Sequence, residues 1–334
     1  MTINLEKFSA ILASGFAPLL QNQKSIAVGV SGGPDSMALC KLLSHWSQQF
    51  SNAPQIHALT LDHGLRPESA GEAKQVGEWV SGWPKITHHV LRWEGEKPES
   101  RIMETARTNR YQLLEKESKR NGANRLFLAH HQDDQAETFL FRLSKGSGLD
   151  GLAAMMPAQN YSSDFILMRP LLQVSKEDLL AFCAAEQIPF IEDPSNENEN
   201  YARPRLRKAK AVLEEEGLSA KRLSVTAQRL ARARHALEEM ADMAMQDMVT
   251  QNESGRVVLN FKTLRAWPGE IGLRVLLKVF DRLSPDKDYG PRLEKVETLF
   301  EELMLQADFR KRTLGGVIIE RDDKAALVIL TPEH

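Results

Sequence analysis

Two stretches of the 334-residue sequence hold residue types that do chemistry, at spacings that let them act together. The first is Ser31-Gly32-Gly33-Pro34-Asp35-Ser36. Its glycines let the backbone approach a ligand with no Cβ in the way. If a strand leads in and a helix leads out, several amide N–H groups converge on one point and the helix dipole adds to their field. That geometry binds phosphate. The Walker A pattern is absent, because no lysine follows the glycines, and so is the G-x-G-x-x-G dinucleotide pattern. The second stretch is His130-His131-Gln132-Asp133-Asp134-Gln135-Ala136-Glu137-Thr138. Asp134 and Glu137 are three apart, so on a helix they share a face and can grip one cation. Mg²⁺ suits carboxylates when phosphates complete its shell, and the ammonium of a lysine suits them equally. Two histidines raise zinc, but no further soft ligand is at hand. The plain alternative makes Asp133 an N-cap and the rest a polar helix start.

Both stretches need elements to position them. Ile26-Ala27-Val28-Gly29-Val30 is short, apolar and β-branched, as a buried parallel strand is. Met37, Leu39, Leu42 and Leu43 then supply one face of a helix. The patterning predicts an amphipathic helix over 3–20, strands over 56–61, 86–91 and 125–129, and helices over 68–79, 100–120 and 176–187. Alternating strands and helices of this kind make a doubly wound α/β domain with a mostly parallel sheet. Ligands bind beyond the carboxyl ends of such strands, which puts Asp62, His63 and Arg66 near a nucleotide; a turn capped by Asp62 is the bland alternative. Composition shifts after Gly217. We place a catalytic domain at 1–215 and a second, mainly helical domain at 216–334. It opens on a long helix over 219–248, whose Lys221, Arg222, Arg229, Arg232 and Arg234 form a positive half that either meets RNA phosphates or keeps the helix in solution. A strand over 255–260, helices over 268–283 and 290–306, and tail strands over 314–320 and 325–330 follow.

Bulk composition is that of an ordinary globular protein, 42% hydrophobic and 26% charged. Lys and Arg number 43 against 45 Asp and Glu. Any nucleic-acid contact must therefore come from local patches such as 203–210, where Arg203, Arg205, Arg207, Lys208 and Lys210 occur without an acid. Cys40 and Cys183, the two cysteines, form neither a disulfide framework nor a zinc site. No apolar run reaches membrane-spanning length and the N-terminus lacks a signal-peptide core, so a cytoplasmic protein is expected.

Set between a strand and a helix, residues 31–36 resemble the S-G-G-x-D-S pyrophosphate loop of the N-type ATP pyrophosphatases, which cleave ATP between the α- and β-phosphates and adenylate an oxygen. Further segments resemble one branch of them, the tRNA(Ile)-lysidine synthetase family. Leu61 to Arg66 is similar to its L-D-H-G-L-R, Ala106 to Tyr111 to its A-R-x-x-R-Y, and residues 130–138 to its H-H-x-D-D-x-x-E-T box. Gly146 to Leu152 resembles its G-S-G-x-x-G-L, Arg169 to Leu172 its R-P-L-L, and Asp193 to Asn196 its D-x-S-N turn. Arg203 to Arg207 resembles its basic R-x-R segment, with Pro204 a departure that puts the register of the arginines in question.

The resemblance implies ATP held by Ser31, Gly32, Gly33, Pro34, Asp35, Ser36, Asp62, His63, Gly146 and Gly148, with Mg²⁺ on Asp35 and Asp134. It implies catalytic roles for Asp35, Arg110, Asp134, Glu137 and Arg205, and substrate contacts for His63, Arg66, His130, His131, Asp133, Arg169, Arg203 and Arg207. The reaction implied is adenylation of the wobble cytidine in the CAU anticodon of tRNA(Ile), then attack by free L-lysine, releasing AMP and pyrophosphate. No membrane or obligate protein partner is implied, and a homodimer is left open. Rival readings are an RNA thiolation enzyme, against which the isolated cysteines argue, a small-molecule ATP-dependent ligase, and a non-enzymatic nucleotide-binding adaptor.

Overall fold

The computed structural model describes residues 2–62, 64, 68–93, 102–192, 209–251, 255–283 and 291–333. The chain divides into two compact units, Met1–Ala231 and Arg232–His334.

In the first unit the described helices include α1 (Leu5–Gly15), α2 (Ala17–Leu20), α3 (Pro34–Ser47), α4 (Ser69–Val80), α5 (Ile102–Arg120), α6 (Gln132–Leu143), α7 (Leu149–Leu152) and α8 (Lys176–Ala185), with a short helix over Lys210–Glu215 after them. The strands are β1 (Ser25–Gly29), β2 (Gln55–Asp62), β3 (Ile86–Arg92), β4 (Arg125–Phe127), β5 (Ala158–Ser162) and β6 (Phe165–Met168). The six described strands form one sheet in the order β3-β2-β1-β4-β6-β5, parallel except for β5. The chain walks outward from β1 to β3 and then returns to place β4 on the other side of β1. The cleft between β1 and β4 is thus the topological switch point, where an open α/β sheet binds ligands. Residues alternate across the pleat. Ile26, Val28, Ile56 and Ala58 join Met37, Leu39, Val76 and Val80 in the larger core. Ala27, Leu59 and Leu126 pack with Tyr111 and Leu114 of α5.

The expected single helix over 3–20 breaks at Phe16, which caps α1 and precedes a separate turn with a proline in its first positions. The hairpin of β5 and β6 has no counterpart in the patterning, because Ala-Gln-Asn-Tyr-Ser reads as loop.

The second unit carries helices over 261–266, 269–283 and 293–305, and the five-stranded antiparallel sheet β7 (Val249–Gln251), β8 (Val257–Asn260), β9 (Arg312–Leu314), β10 (Val317–Asp322) and β11 (Leu327–Pro332), in the order β7-β8-β11-β10-β9. Helical face and sheet share one core through Val275, Val279, Leu303, Val317 and Leu330. β7 and β9, three residues each, are too short to announce themselves in sequence. The division between the units falls inside the helix Ala220–Met248, later than residue 215, because Leu223 and Ala227 are buried with Ala136, Phe139 and Ala154 of the first unit.

Candidate active site

β1 ends at Gly29, and Val30 donates its N–H to Leu59 O at 2.9 Å, carrying the parallel register one residue further. The chain then turns at Gly32, whose φ of +88° lies in the left-handed region. A Cβ there would meet Val76 Cγ2 and Ile191 Cδ1 at 2.9 Å. Glycine is required on both counts. Ile191 donates its N–H to Gly32 O at 2.9 Å, so the segment after α8 is stitched to the turn. Ser36 holds the loop shut from inside. Its Oγ accepts from Ser31 N at 3.1 Å and donates to Gly33 O at 3.0 Å. Gly33 caps α3 without a side-chain hydrogen bond, and Pro34 fills the first turn, where its missing N–H costs nothing. The first-turn amides of α3 therefore have no side-chain acceptor at the cap, the state of a helix N-terminus ready for an anion.

The second box sits on the neighbouring strand. Four residues separate the end of β4 from the start of α6, and the His131 N–H donates to Asp134 Oδ2 at 3.0 Å, half of a capping box. The His131 ring is the hub of the site, with its side chain 6% exposed. Its Nε2 lies 3.5 Å from Asp35 Oδ2 and 3.5 Å from Asp134 Oδ2, and its Nδ1 lies 3.7 Å from Asp133 Oδ2. Burial alone would lower the ring's affinity for a proton. Hydrogen bonds to Asp133 and Asp35 and the charges of Asp134 and Asp35 outweigh it and push the pKa up to about 10. His131 is an imidazolium at neutral pH. Burial works against an ionised Asp35 as well, yet His131 and Lys176 hold its carboxyl below the ordinary value.

Lys176, which the sequence reading leaves as an ordinary helix residue, completes the cluster with Nζ 3.7 Å from Asp35 Oδ2. Its backbone N–H donates to Asp133 Oδ2 at 3.1 Å, so Asp133 pins the start of α8 to the start of α6. Ser175 caps α8 by accepting from Asp178 N.

The loop at 31–36 and the carboxylates of the second box therefore meet at one point, through Asp35, His131 and Asp134. Glu137 follows one turn along α6, half-buried, and His130 is half-buried beside the hub. Other expected residues have partners of their own. Asp62 accepts from Gly64 N and Ser69 Oγ through Oδ1, the turn-capping geometry. Arg169 is 4% exposed and donates to Met156 O and Gln159 Oε1, which ties it to the hairpin strand β5. Arg110 is half-buried with its guanidinium 5.2 Å from the Tyr111 ring centre. Gly146 and Gly148 belong to the turn before α7, which Arg142 secures through Gly151 O and Ala154 O. His63, Arg66, Asp193 to Asn196, Arg203, Arg205 and Arg207 lie outside the described residues.

Both thiols are buried, and burial pushes Cys40 up to about 12 and Cys183, which also feels Asp35, up to about 11. Neither supplies a thiolate at neutral pH.

A parallel sheet whose switch point pairs an anion loop with a carboxylate box defines an ATP-binding protein of the pyrophosphatase kind, and a sequence profile of the PP-loop domain matches residues 3–215. The tRNA(Ile)-lysidine synthase of Rhodopseudomonas palustris is 40% identical over 92% of this chain and 91% of its own length. That of a Bradyrhizobium species is 40% identical over 90% of this chain and 83% of its own. The chain belongs to the tRNA(Ile)-lysidine synthase family of PP-loop proteins. Among solved structures, the U34-tRNA thiolase NcsA from Methanococcus maripaludis superposes with a TM-score of 0.56 at 16% identity, over 68% of this chain and 78% of that one, a likeness of fold.

Proposed function

We propose that this protein converts the wobble cytidine of a CAU-anticodon tRNA(Ile) to lysidine, using ATP and free L-lysine and releasing AMP and pyrophosphate. Its relatives bear the name of that activity. The observation that carries the reading is His131 bridging Asp35 of the loop and Asp134 of the box at 3.5 Å each. One cleft then handles a departing diphosphate and an incoming cation.

The chemistry asks for both. Oxide is a poor leaving group from a pyrimidine ring, and adenylating the C2 oxygen turns it into a phosphate, a good one. The cytosine oxygen attacks the α-phosphorus, the bond to the bridging oxygen breaks, and pyrophosphate departs into the loop at 31–36, where the amides of α3 receive it. The lysine amine then attacks C2 and AMP leaves. Asp134 and Glu137 bind that amine as a cation, and one of them takes its proton. Arg110 and Arg205 complement charge on the transferring group or on the lysine carboxylate. The cytosine enters unstacked, which a single-stranded anticodon loop allows cheaply.

The residues present fit Mg²⁺. Asp35 Oδ1 is buried and accepts no hydrogen bond among the described residues, an oxygen in want of a positive partner. Among the same residues, no group of three or more His, Cys, Asp or Glu could hold a metal alone. That suits an ion whose shell phosphate oxygens complete. Asp35 and Asp134 would hold it, and when bound it neutralises charge on the pyrophosphate.

Residues 216–334 would bind the tRNA, with the exposed Lys221, Arg229 and Arg232 of the long helix as phosphate contacts. No described helix is long and apolar enough to cross a membrane, and we place the enzyme in the cytoplasm with its tRNA. The test is product analysis. The protein should release AMP from ATP only when tRNA(Ile) and lysine are both present, and the tRNA should gain the mass of one lysine less water. Asp134→Asn should stop turnover with the fold retained. Release of ADP, or wild-type turnover by that variant, overturns the reading.

A further inference from the structure

The loop at 31–36 departs from the Walker pattern in having no lysine of its own, and the fold delivers one from far along the chain. Lys176 opens α8, 140 residues after Ser36. Its backbone is fixed on two sides, by the Asp133 carboxylate on its N–H and by the Ser175 cap before it. Its side chain reaches the loop helix, with Nζ 3.7 Å from Asp35 Oδ2. The ammonium is not enclosed, since the side chain is 46% exposed. It can therefore move between carboxylate and ligand while its stem stays in place, as a flexible four-carbon chain allows. His131, the other cation at Asp35, is boxed in by three carboxylates and buried, so it cannot leave them.

We propose that Lys176 is a binding residue for the polyphosphate of ATP, a mobile ammonium that leaves Asp35 to meet the β- and γ-phosphates and stays with them as pyrophosphate departs. The inference rests on the ATP-using reading above and adds a residue to it. No proton or electron moves in this step. The α-phosphorus to bridging-oxygen bond breaks, the diphosphate takes the bonding pair, and Lys176 faces the charge that develops.

The experiment compares Lys176→Met and Lys176→Arg with the full-length wild-type protein. Calorimetry measures binding of MgATP, and separately of inorganic pyrophosphate in EDTA. Steady-state assays with tRNA and lysine measure KM for ATP and kcat. Lys176→Met should weaken ATP and pyrophosphate binding by about ten- to a hundredfold, the range for one charged hydrogen bond lost. It should raise KM for ATP while KM for lysine stays level, and its melting temperature should stay near wild type. Lys176→Arg should recover binding to within about threefold. The metal-free measurement separates direct contact from an effect relayed through Asp35 and its metal. Wild-type affinity in Lys176→Met, loss seen only with Mg²⁺, or an arginine variant as weak as the methionine one each overturns the proposal. If wild-type protein binds ATP and pyrophosphate and shows the lysine dependence but makes no lysidine, the functional reading fails and Lys176 stands. If turnover is normal and Lys176→Met is silent, Lys176 alone fails.

Discussion

Replacing His131 with glutamine tests the electrostatic core of the site. The ring stands within 3.7 Å of three carboxylates, which raise its pKa from 6.5 to about 10. That rise corresponds to roughly 5 kcal/mol of preference for the protonated ring in the folded protein. A group whose folded pKa is raised stabilises the fold fully at pH values below its unfolded pKa. It loses that contribution as pH climbs toward the folded one. The wild-type advantage from this charge should be complete below about pH 6.5, fall by ~1.4 kcal/mol per pH unit, and vanish near pH 10. Glutamine keeps the size and hydrogen-bonding capacity but does not titrate. The stability gap between wild type and His131→Gln should therefore narrow by about 3 kcal/mol between pH 6 and pH 9. Urea unfolding in EDTA, followed by tryptophan fluorescence, measures the gap. Trp46, Trp79, Trp83 and Trp93 lie in the first unit, and a Trp267→Phe background removes the remaining signal. The acid side is avoided because Asp35, held below its ordinary pKa, loses its own contribution as pH falls through its folded value. A gap that stays constant to within 0.5 kcal/mol, on the order of RT, would mean a neutral ring and refute the charge assignment.

Gly32→Ala should cost about 2–4 kcal/mol, from the positive φ and from a methyl group 2.9 Å from Val76 and Ile191, and should weaken ATP binding more than it weakens the fold; urea midpoints and ATP titrations decide, and an alanine variant as stable as wild type removes the requirement for glycine. Neutralising Lys221, Arg229 and Arg232 together should weaken tRNA binding and lower the slope of log K against log salt by roughly 2–3, while an unchanged slope returns that helix face to a solubility role. Arg222 is left out because its Nη1 donates to Gly217 O.

The sequence shows the chemistry of this site more readily than its wiring. Residues 31–36 and 130–138 are legible because each is a contiguous run at a strand end, and strands that are parallel and adjacent must bring such ends together. Asp62 was visible for the same reason, although its geometry is that of a turn cap. Lys176 was not visible. It reads as the first residue of an amphipathic helix, and only the bond from its amide to Asp133, 43 positions away in sequence, aims it at Asp35. Arg169, expected as a substrate contact from the R-P-L-L resemblance, is buried and donates to Met156 O and Gln159 Oε1, which ties it to the β5–β6 hairpin. Nothing in the local sequence announces that hairpin.

The protonated hub also constrains which group can act as the base. Histidine is the usual candidate for general base at neutral pH, since its ordinary pKa lies there. Here the surrounding carboxylates push the ring's pKa up to about 10 and favour its protonated form. A protonated ring takes no proton from an incoming amine, and the proposal above gives that task to the carboxylate of Asp134 or Glu137. His131 then has a different use. Asp35, Asp133 and Asp134 would repel one another if crowded around a neutral side chain, and a fixed imidazolium between them offsets that repulsion. Three carboxylates, Asp35, Asp133 and Asp134, face two cations, His131 and Lys176. That surplus of negative charge would suit a bound cation beside loop amides that suit phosphate. Opposite charges can be bound side by side without the site collapsing because the cation between them is buried and flanked by carboxylates at both ring nitrogens.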